Sequence, residues 1–150
     1  MIQTFEIPKP PSANAIWRNV DGRTLVAAHY RKWVRELGWW LRIQAVRPHP
    51  TPCAFSLVIV GGKGWRKNND MDNRLKPTLD GLTKNHILPD DSTEYIVQEE
   101  LIYIPRPSRS AEIRCFVRLR EPGPTWFDTW DIPESPLAAG EGEQRWLKRK

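Results

Sequence analysis

Residues 53–60 read CAFSLVIV, a run in which Ser56 is the one polar side chain. A strand with one wet face alternates polar and apolar residues. A run that is apolar at both parities must be covered on two sides, as a central strand is. Pro48, Pro50 and Pro52 precede the run and the loop GGKGWRKNN follows it, so it stands as a short isolated element. The chain therefore has to build layers around one central strand. At 150 residues it is long enough to do so as one domain with a real core.

The flanking patterns supply the layers. Residues 2–7, IQTFEI, alternate as a strand and end at Pro8, Pro10 and Pro11. Residues 12–25 read as a loop with a turn at Asp21-Gly22, and carry Arg18 and Arg23. From Ala27 to Val46, Tyr30, Trp33, Val34, Leu37, Leu41 and Ala45 recur at helical spacing. Arg31, Lys32, Arg35 and Arg42 lie largely off that stripe, as a solvated face or a DNA-facing one. A second helix is expected over 74–85, with Leu75, Leu79 and Leu82 on one face. Pro77 is tolerated only in a first turn, so this helix must begin near Asp72 or Asn73. Residues 95–104 read as a strand and 105–110 as a turn. Residues 111–120 form a strand with Ala111, Ile113, Cys115, Val117 and Leu119 inward. The order is β-α-β-α-β-β: an α/β (α+β) fold with a small mixed sheet and two main helices. The domain is expected to span 1–120. Residues 121–150, where Trp126, Trp130 and Trp146 stand among Pro, Gly and Glu, form an appendage expected to pack on the body or on a partner.

Charged residues at 27% and hydrophobic residues at 39% are ordinary for a soluble domain, and no apolar run approaches the ~18 residues of a membrane span. The opening MIQTFEIPKPP lacks the basic start and apolar middle of a secretory signal. A cytoplasmic protein with no membrane partner is expected. Cys53 and Cys115 fall in apolar runs and read as buried free thiols. They make no CxxC, and His29, His49 and His86 show no ligand spacing, so a zinc ribbon is excluded. The net charge is +5. Of 23 Lys+Arg and 18 Asp+Glu, only four and six lie in 121–150, leaving 19 and 12, net +7, before it. A basic body favours a polyanionic partner.

Against that background Asp70, Asp72, Asp80, Asp90 and Asp91 are crowded into DMDNRLKPTLDGLTKNHILPDD. Such crowding costs self-repulsion unless a cation sits among the carboxylates. Asp70 and Asp72 are two apart in what reads as an extended stretch, so both can face one cation. Asp72, Lys76 and Asp80 are four apart and form one polar helical row beside the leucines. Asp90 and Asp91 return before the next strand. An EF-hand is excluded: counted from Asp70, loop positions 5, 6 and 12 are Arg74, Leu75 and Gly81. Taken singly, Asp72 or Asn73 could be a helix cap and Asp90-Asp91 a turn. Together the donors suit a hard cation such as Mg²⁺, with Mn²⁺ an alternative, and hence phosphodiester hydrolysis. A nearby lysine can stabilise charge developing on the phosphorus. Just upstream, Lys63, Trp65, Arg66 and Lys67 interleave cations with an aromatic, a pattern for gripping phosphates and stacking on or wedging into bases.

The run Asp70-x-Asp72-Asn73-x-x-Lys76-x-x-x-Asp80-x-Leu82-Thr83-Lys84, followed by Asp90-Asp91, resembles the signature of the RusA-type Holliday junction resolvases. Pro10-Pro11-Ser12-x-Asn14, Arg18 and Gly22-Arg23 are similar to that family's opening, and the likeness covers roughly 4–120. It implies a homodimeric, Mg²⁺-dependent endonuclease of phage or prophage type, a crossover junction endodeoxyribonuclease that nicks two symmetric strands of a four-way DNA junction in recombination and repair. Asp70, Asp72 and Asp91 would be the metal-binding catalytic carboxylates and Lys76 the essential cation. Asn73, Asp80 and Asp90 would support them. Arg18, Arg23, Lys63, Trp65, Arg66 and Lys67 would engage the DNA. The chain departs from the pattern at His86, where the family commonly has glycine, at Pro77, at Glu94, Glu99 and Glu100, and in the tail beyond 120. Two other readings remain at this point: a junction-binding protein without catalysis, and a nuclease for forks or flaps.

Overall fold

The computed structural model describes residues 1–66, 69–105 and 112–123. Its strands are β1 (Gln3–Ile7), β2 (Trp17–Val20), β3 (Arg23–Val26), β4 (Cys53–Val60), β5 (Ile96–Ile104) and β6 (Arg114–Arg120). Its helices are α1 (Ala28–Ile43) and α2 (Leu75–Lys84), with 3₁₀ turns at Ala13–Ala15 and Asp72–Arg74. The expectation of a packed appendage falls on a segment that lies, after Gly123, outside the described residues. No helix among them is long and apolar enough to cross a membrane.

Four strands form one mixed sheet in the order β1-β6-β4-β5, as the doubly apolar run required: β4 is central. It pairs antiparallel with β6 and parallel with β5. Parallel neighbours need a long crossover rather than a tight turn, and α2 lies within that crossover. On one face Cys53, Phe55, Leu57 and Ile59 of β4 join Cys115, Val117 and Leu119 of β6 and Phe5 and Ile7 of β1. Tyr30, Trp33, Leu37 and Leu41 of α1 and Leu79 and Leu82 of α2 complete that core. The other face is covered differently. Ala54 and Ser56 are small and buried, and register places Arg120 and Arg118 beside them. The Ser56 hydroxyl donates to Glu100 at 2.7 Å, and Arg120 bridges to Glu100 at 3.0 Å. Long charged side chains cover this face with their stems. Cys53 and Cys115 are buried free thiols, as read.

One element differs from the reading. Residues 12–25 are not a loop throughout but contain the antiparallel hairpin β2–β3, closed by Asp21 at φ 49° and Gly22 at φ 75°. Positive φ at both centres makes a two-residue turn that matches strand twist, for which Asp-Gly is a preferred pair. The hairpin escaped the periodicity argument because no face of it is buried: seven of its eight residues are exposed and only Val26 is half-buried.

Both helices end in the same way. Ala45 takes φ 53° and the Val46 amide donates to the Leu41 carbonyl at 3.0 Å. His86 takes φ 59° and the Ile87 amide donates to the Leu82 carbonyl at 3.0 Å. These are Schellman ends, which favour glycine in the left-handed position. The departure at His86 is thus a residue with a β-carbon placed where the backbone calls for none. We expect His86→Gly to stabilise the fold by ~0.5–1 kcal/mol, the left-handed strain relieved less the added chain entropy. Urea unfolding checks this; equal or lower stability would contradict it.

Candidate active site

The loop after β4 delivers Asp70 to the 3₁₀ turn Asp72–Arg74, which runs directly into α2. Pro77 is the third residue of α2, inside the first turn as its chemistry demands. Leu79 and Leu82 turn into the core, and this leaves Lys76 and Asp80 on the outer side. Asn85 ties the end of α2 to α1, its side-chain amide donating to Val34 O at 3.2 Å and Gly81 O at 2.9 Å. Gly81 permits this closeness, since a β-carbon there would stand 2.6 Å from the Trp33 ring.

The predicted residues fall into two linked groups. In the first, Asn73 joins Asp70 and Asp72: its Nδ2 donates to Asp70 Oδ2 at 3.1 Å and its backbone amide to Asp72 Oδ1 at 2.9 Å. Asp70 and Asp72 are exposed. They do not sit on an extended stretch, as spacing implied, because Asp72 already begins the 3₁₀ turn; the asparagine relates them instead of strand alternation. In the second group Lys76 Nζ donates to Asp80 Oδ1 at 2.7 Å and to Asp91 Oδ2 at 2.5 Å. The helical row is therefore real for Lys76 and Asp80, and the loop after α2 brings Asp91 back to the same lysine. Asp90 is exposed beside it. Among the described residues, no three His, Cys, Asp or Glu side chains gather into a ready metal-binding cluster.

The lysine governs the electrostatics. Its hydrogen bond holds the Asp91 carboxyl below the ordinary carboxylate value, against a smaller opposing effect of burial. Asp80 and then Asp91 raise the lysine in turn. A divalent ion is compatible with the donors in chemistry: all are hard carboxylate oxygens. The exposure of Asp70 and Asp72 leaves room for the waters that Mg²⁺ retains.

The predicted DNA contacts are scattered more widely. Arg18 faces Leu25, and Val20 faces Arg23, so alternation puts both arginines on one face of the exposed hairpin. Lys63 and Arg66 are exposed, and Lys67 lies outside the described residues. Trp65 is half-buried and stacks on Tyr103 with ring centroids 5.8 Å apart. Two cations that pattern reading missed flank that ring: Lys9 Nζ at 5.9 Å and the Arg74 guanidinium at 6.0 Å. Arg74 could have been noticed from its place directly after Asp-x-Asp-Asn. Lys9, between two prolines, gave no signal.

A basic α+β domain that sets carboxylates, an amide and a lysine at an exposed helix start carries the side chains of a phosphodiester hydrolase. Comparison with protein families makes this specific: the family Endodeoxyribonuclease RusA matches residues 8–119, and the chain belongs to that family. Among curated proteins no match is found.

The depressed Asp91 favours the fold above its ordinary value of 3.8, and that contribution is lost as pH falls through its lower folded value. The raised Lys76 contributes below 10.5 and loses its effect as pH rises through its higher folded value. The bridge is therefore intact across neutral pH. Replacing Lys76 with Met should raise the Asp91 carboxyl to its ordinary value or above, as followed by carboxyl-carbon NMR titration. An unmoved Asp91 would show that the lysine does not set it.

Proposed function

We propose that this endodeoxyribonuclease resolves four-way DNA junctions by paired symmetric nicks, with Mg²⁺ as cofactor and Mn²⁺ as a possible substitute. The observation that carries the reading is Lys76 standing between Asp80 and Asp91, about one turn after Asp72 and Asn73 and six residues after Asp70, inside the stretch that matches the family. Asp70, Asp72 and Asp91 would hold the ion. The chemistry it supplies when bound is a lower pKa for attacking water and charge neutralisation at the leaving oxygen.

The remaining roles belong to the chain. Asn73 orients Asp70 through its amide and Asp72 through its backbone. Lys76, kept protonated by its two carboxylates, positions Asp91 and offers positive charge to the phosphorus as negative charge builds there. Asp80 holds Lys76 from the next turn, and Asp90 sits at the rim. Arg18, Arg23, Lys63, Arg66 and Lys67 supply backbone contacts, and Trp65 braces the loop that carries three of them.

Two symmetric nicks require two related sites, which we assign to a homodimer. Trp39 and Ile43, exposed at 56% and 62% one turn apart on α1, are an uncovered apolar pair that a second subunit can use. Cytoplasmic location and a phage or prophage origin with a role in recombination and repair are consistent with this activity.

A synthetic four-way junction with Mg²⁺ tests the proposal. Wild type should give paired nicks, and Asp70→Asn should lose more than the ~100-fold that removal of an outer-shell partner typically costs. Tight binding without nicks, unchanged by metal, would instead identify a junction-binding protein. Preferred cleavage of forks or flaps in competition would reassign the substrate.

A further inference from the structure

We propose that Lys9 and Arg74 form a clamp for one backbone phosphodiester of the DNA, adjoining the Asp70–Asp91 site. The inference rests on the DNA-cutting reading above and adds a subsite to it. The two cations come from distant parts of the chain, one from the Pro-flanked turn after β1 and the other from the 3₁₀ turn before α2. They converge on one aromatic ring, Trp65, at 5.9 and 6.0 Å. Those distances are at the outer limit of a cation–π contact, so the ring locates the cations without neutralising them.

Among the described residues neither cation forms an ion pair. The contrast within the same protein is direct: Arg114 is bound to Glu6 at 2.7 Å and Arg120 to Glu100 at 3.0 Å. The Lys9 ammonium is disfavoured by burial and then by the charge of Arg74. The acidic group acting on both cations is the Cys115 thiol, which burial pushes up to about 11, leaving it uncharged at neutral pH. Among the described residues Arg74 makes one hydrogen bond, Nη1 donating to Pro10 O at 2.7 Å, and its buried Nε has no acceptor there. A guanidinium has five N–H donors in a planar fork, and here the Nη2 side of that fork is neither bonded among the described residues nor fully buried.

An under-bonded arginine fork beside an unpaired ammonium suits a planar-faced oxyanion, the arginine by two parallel bonds and the lysine as a point charge. The platform is rigid. Trp65 is stacked on Tyr103, and Gly61 lets that tyrosine lie close, since a β-carbon there would be 2.3 Å from its hydroxyl. Arg74 follows Asp72 by two residues, so a phosphate held here positions the strand that runs to the carboxylates.

The test uses the full chain in EDTA, where no metal-dependent cleavage occurs, with labelled duplex DNA and a labelled four-way junction. Anisotropy titrations between about 50 and 200 mM salt give affinity and its salt slope. Lys9→Gln and Arg74→Leu should each weaken binding by roughly 3–10-fold and lower the slope by ~1, and the double variant should also lower it by ~1, because both cations share one phosphate. Lys9→Arg should bind as wild type. Unchanged affinity and slope in both single variants would overturn the clamp, as would a double variant that lowers the slope by ~2. Thermal melts check folding, and Lys9→Gln, on an exposed residue, carries the test if Arg74→Leu does not fold. Junction cleavage with Mg²⁺ is measured in parallel. If wild type does not cleave but Lys9→Gln still loses affinity, the enzyme reading falls and the clamp stands. If wild type cleaves and the variants bind unchanged, the reverse holds. Wild type that binds neither DNA overturns the clamp.

Discussion

The parallel pairing of β4 with β5 is the constraint on which the rest of the structure depends. Parallel neighbours cannot be joined by a hairpin, so the chain has to leave the sheet after Val60 and return at Ile96. The proposed catalytic residues all lie on that excursion, with the basic loop, Asp70, the 3₁₀ turn, α2 and the loop carrying Asp91 in chain order. The excursion is pinned at several points. Leu79 and Leu82 bury α2 against the core, Ile87 and Leu88 bury the returning loop, and Trp65 stacks the outgoing loop on Tyr103. A site built on such a segment has anchored ends and an exposed polar side.

Charge on that exposed side is arranged unequally. The carboxylates of Asp80 and Asp91 already have a cation in Lys76, whereas Asp70 and Asp72 are organised by the neutral amide of Asn73. The second pair is therefore the more available to an added cation. The opposite imbalance stands at Trp65, where Lys9 and Arg74 have no carboxylate among the described residues. Unmatched negative and unmatched positive groups thus sit at the two ends of one short 3₁₀ turn. A phosphodiester substrate with a divalent ion would balance both, which is the electrostatic logic joining the proposed function to the proposed clamp.

Much of the fold was legible in the residues. The doubly apolar CAFSLVIV run is the central strand at the same bounds, and the alternation read over 111–120 is a strand from Arg114 to Arg120 with Cys115, Val117 and Leu119 buried. The hairpin at 17–26 was not legible because burial is what writes periodicity into a sequence, and its side chains are almost wholly exposed. Helix ends were misjudged by up to three residues at Val46, since a left-handed alanine, unlike glycine, gives no warning of a stop. At the site, the i, i+4 pairing of Lys76 with Asp80 could be read from spacing alone, and its partnership with Asp91 could not. The strand-like relation inferred for Asp70 and Asp72 failed because an asparagine-bridged 3₁₀ turn begins one residue earlier than period-two reasoning allows.

By itself the sequence determined the central strand, the two amphipathic helices, the place of Pro77 in a first turn (though α2 begins at Leu75, after a 3₁₀ turn, rather than at Asp72 or Asn73), and membership in a family through the Asp-x-Asp-Asn-x-x-Lys pattern. Each of these depends on neighbours within a turn or two, where covalent geometry and local periodicity rule. Tertiary structure alone decided which carboxylate Lys76 binds beyond its own helix, that Trp65 stacks on Tyr103, and that Lys9 and Arg74 approach the same ring. Those relations join residues far apart in the chain, and only burial of the shared core brings them within a few ångströms.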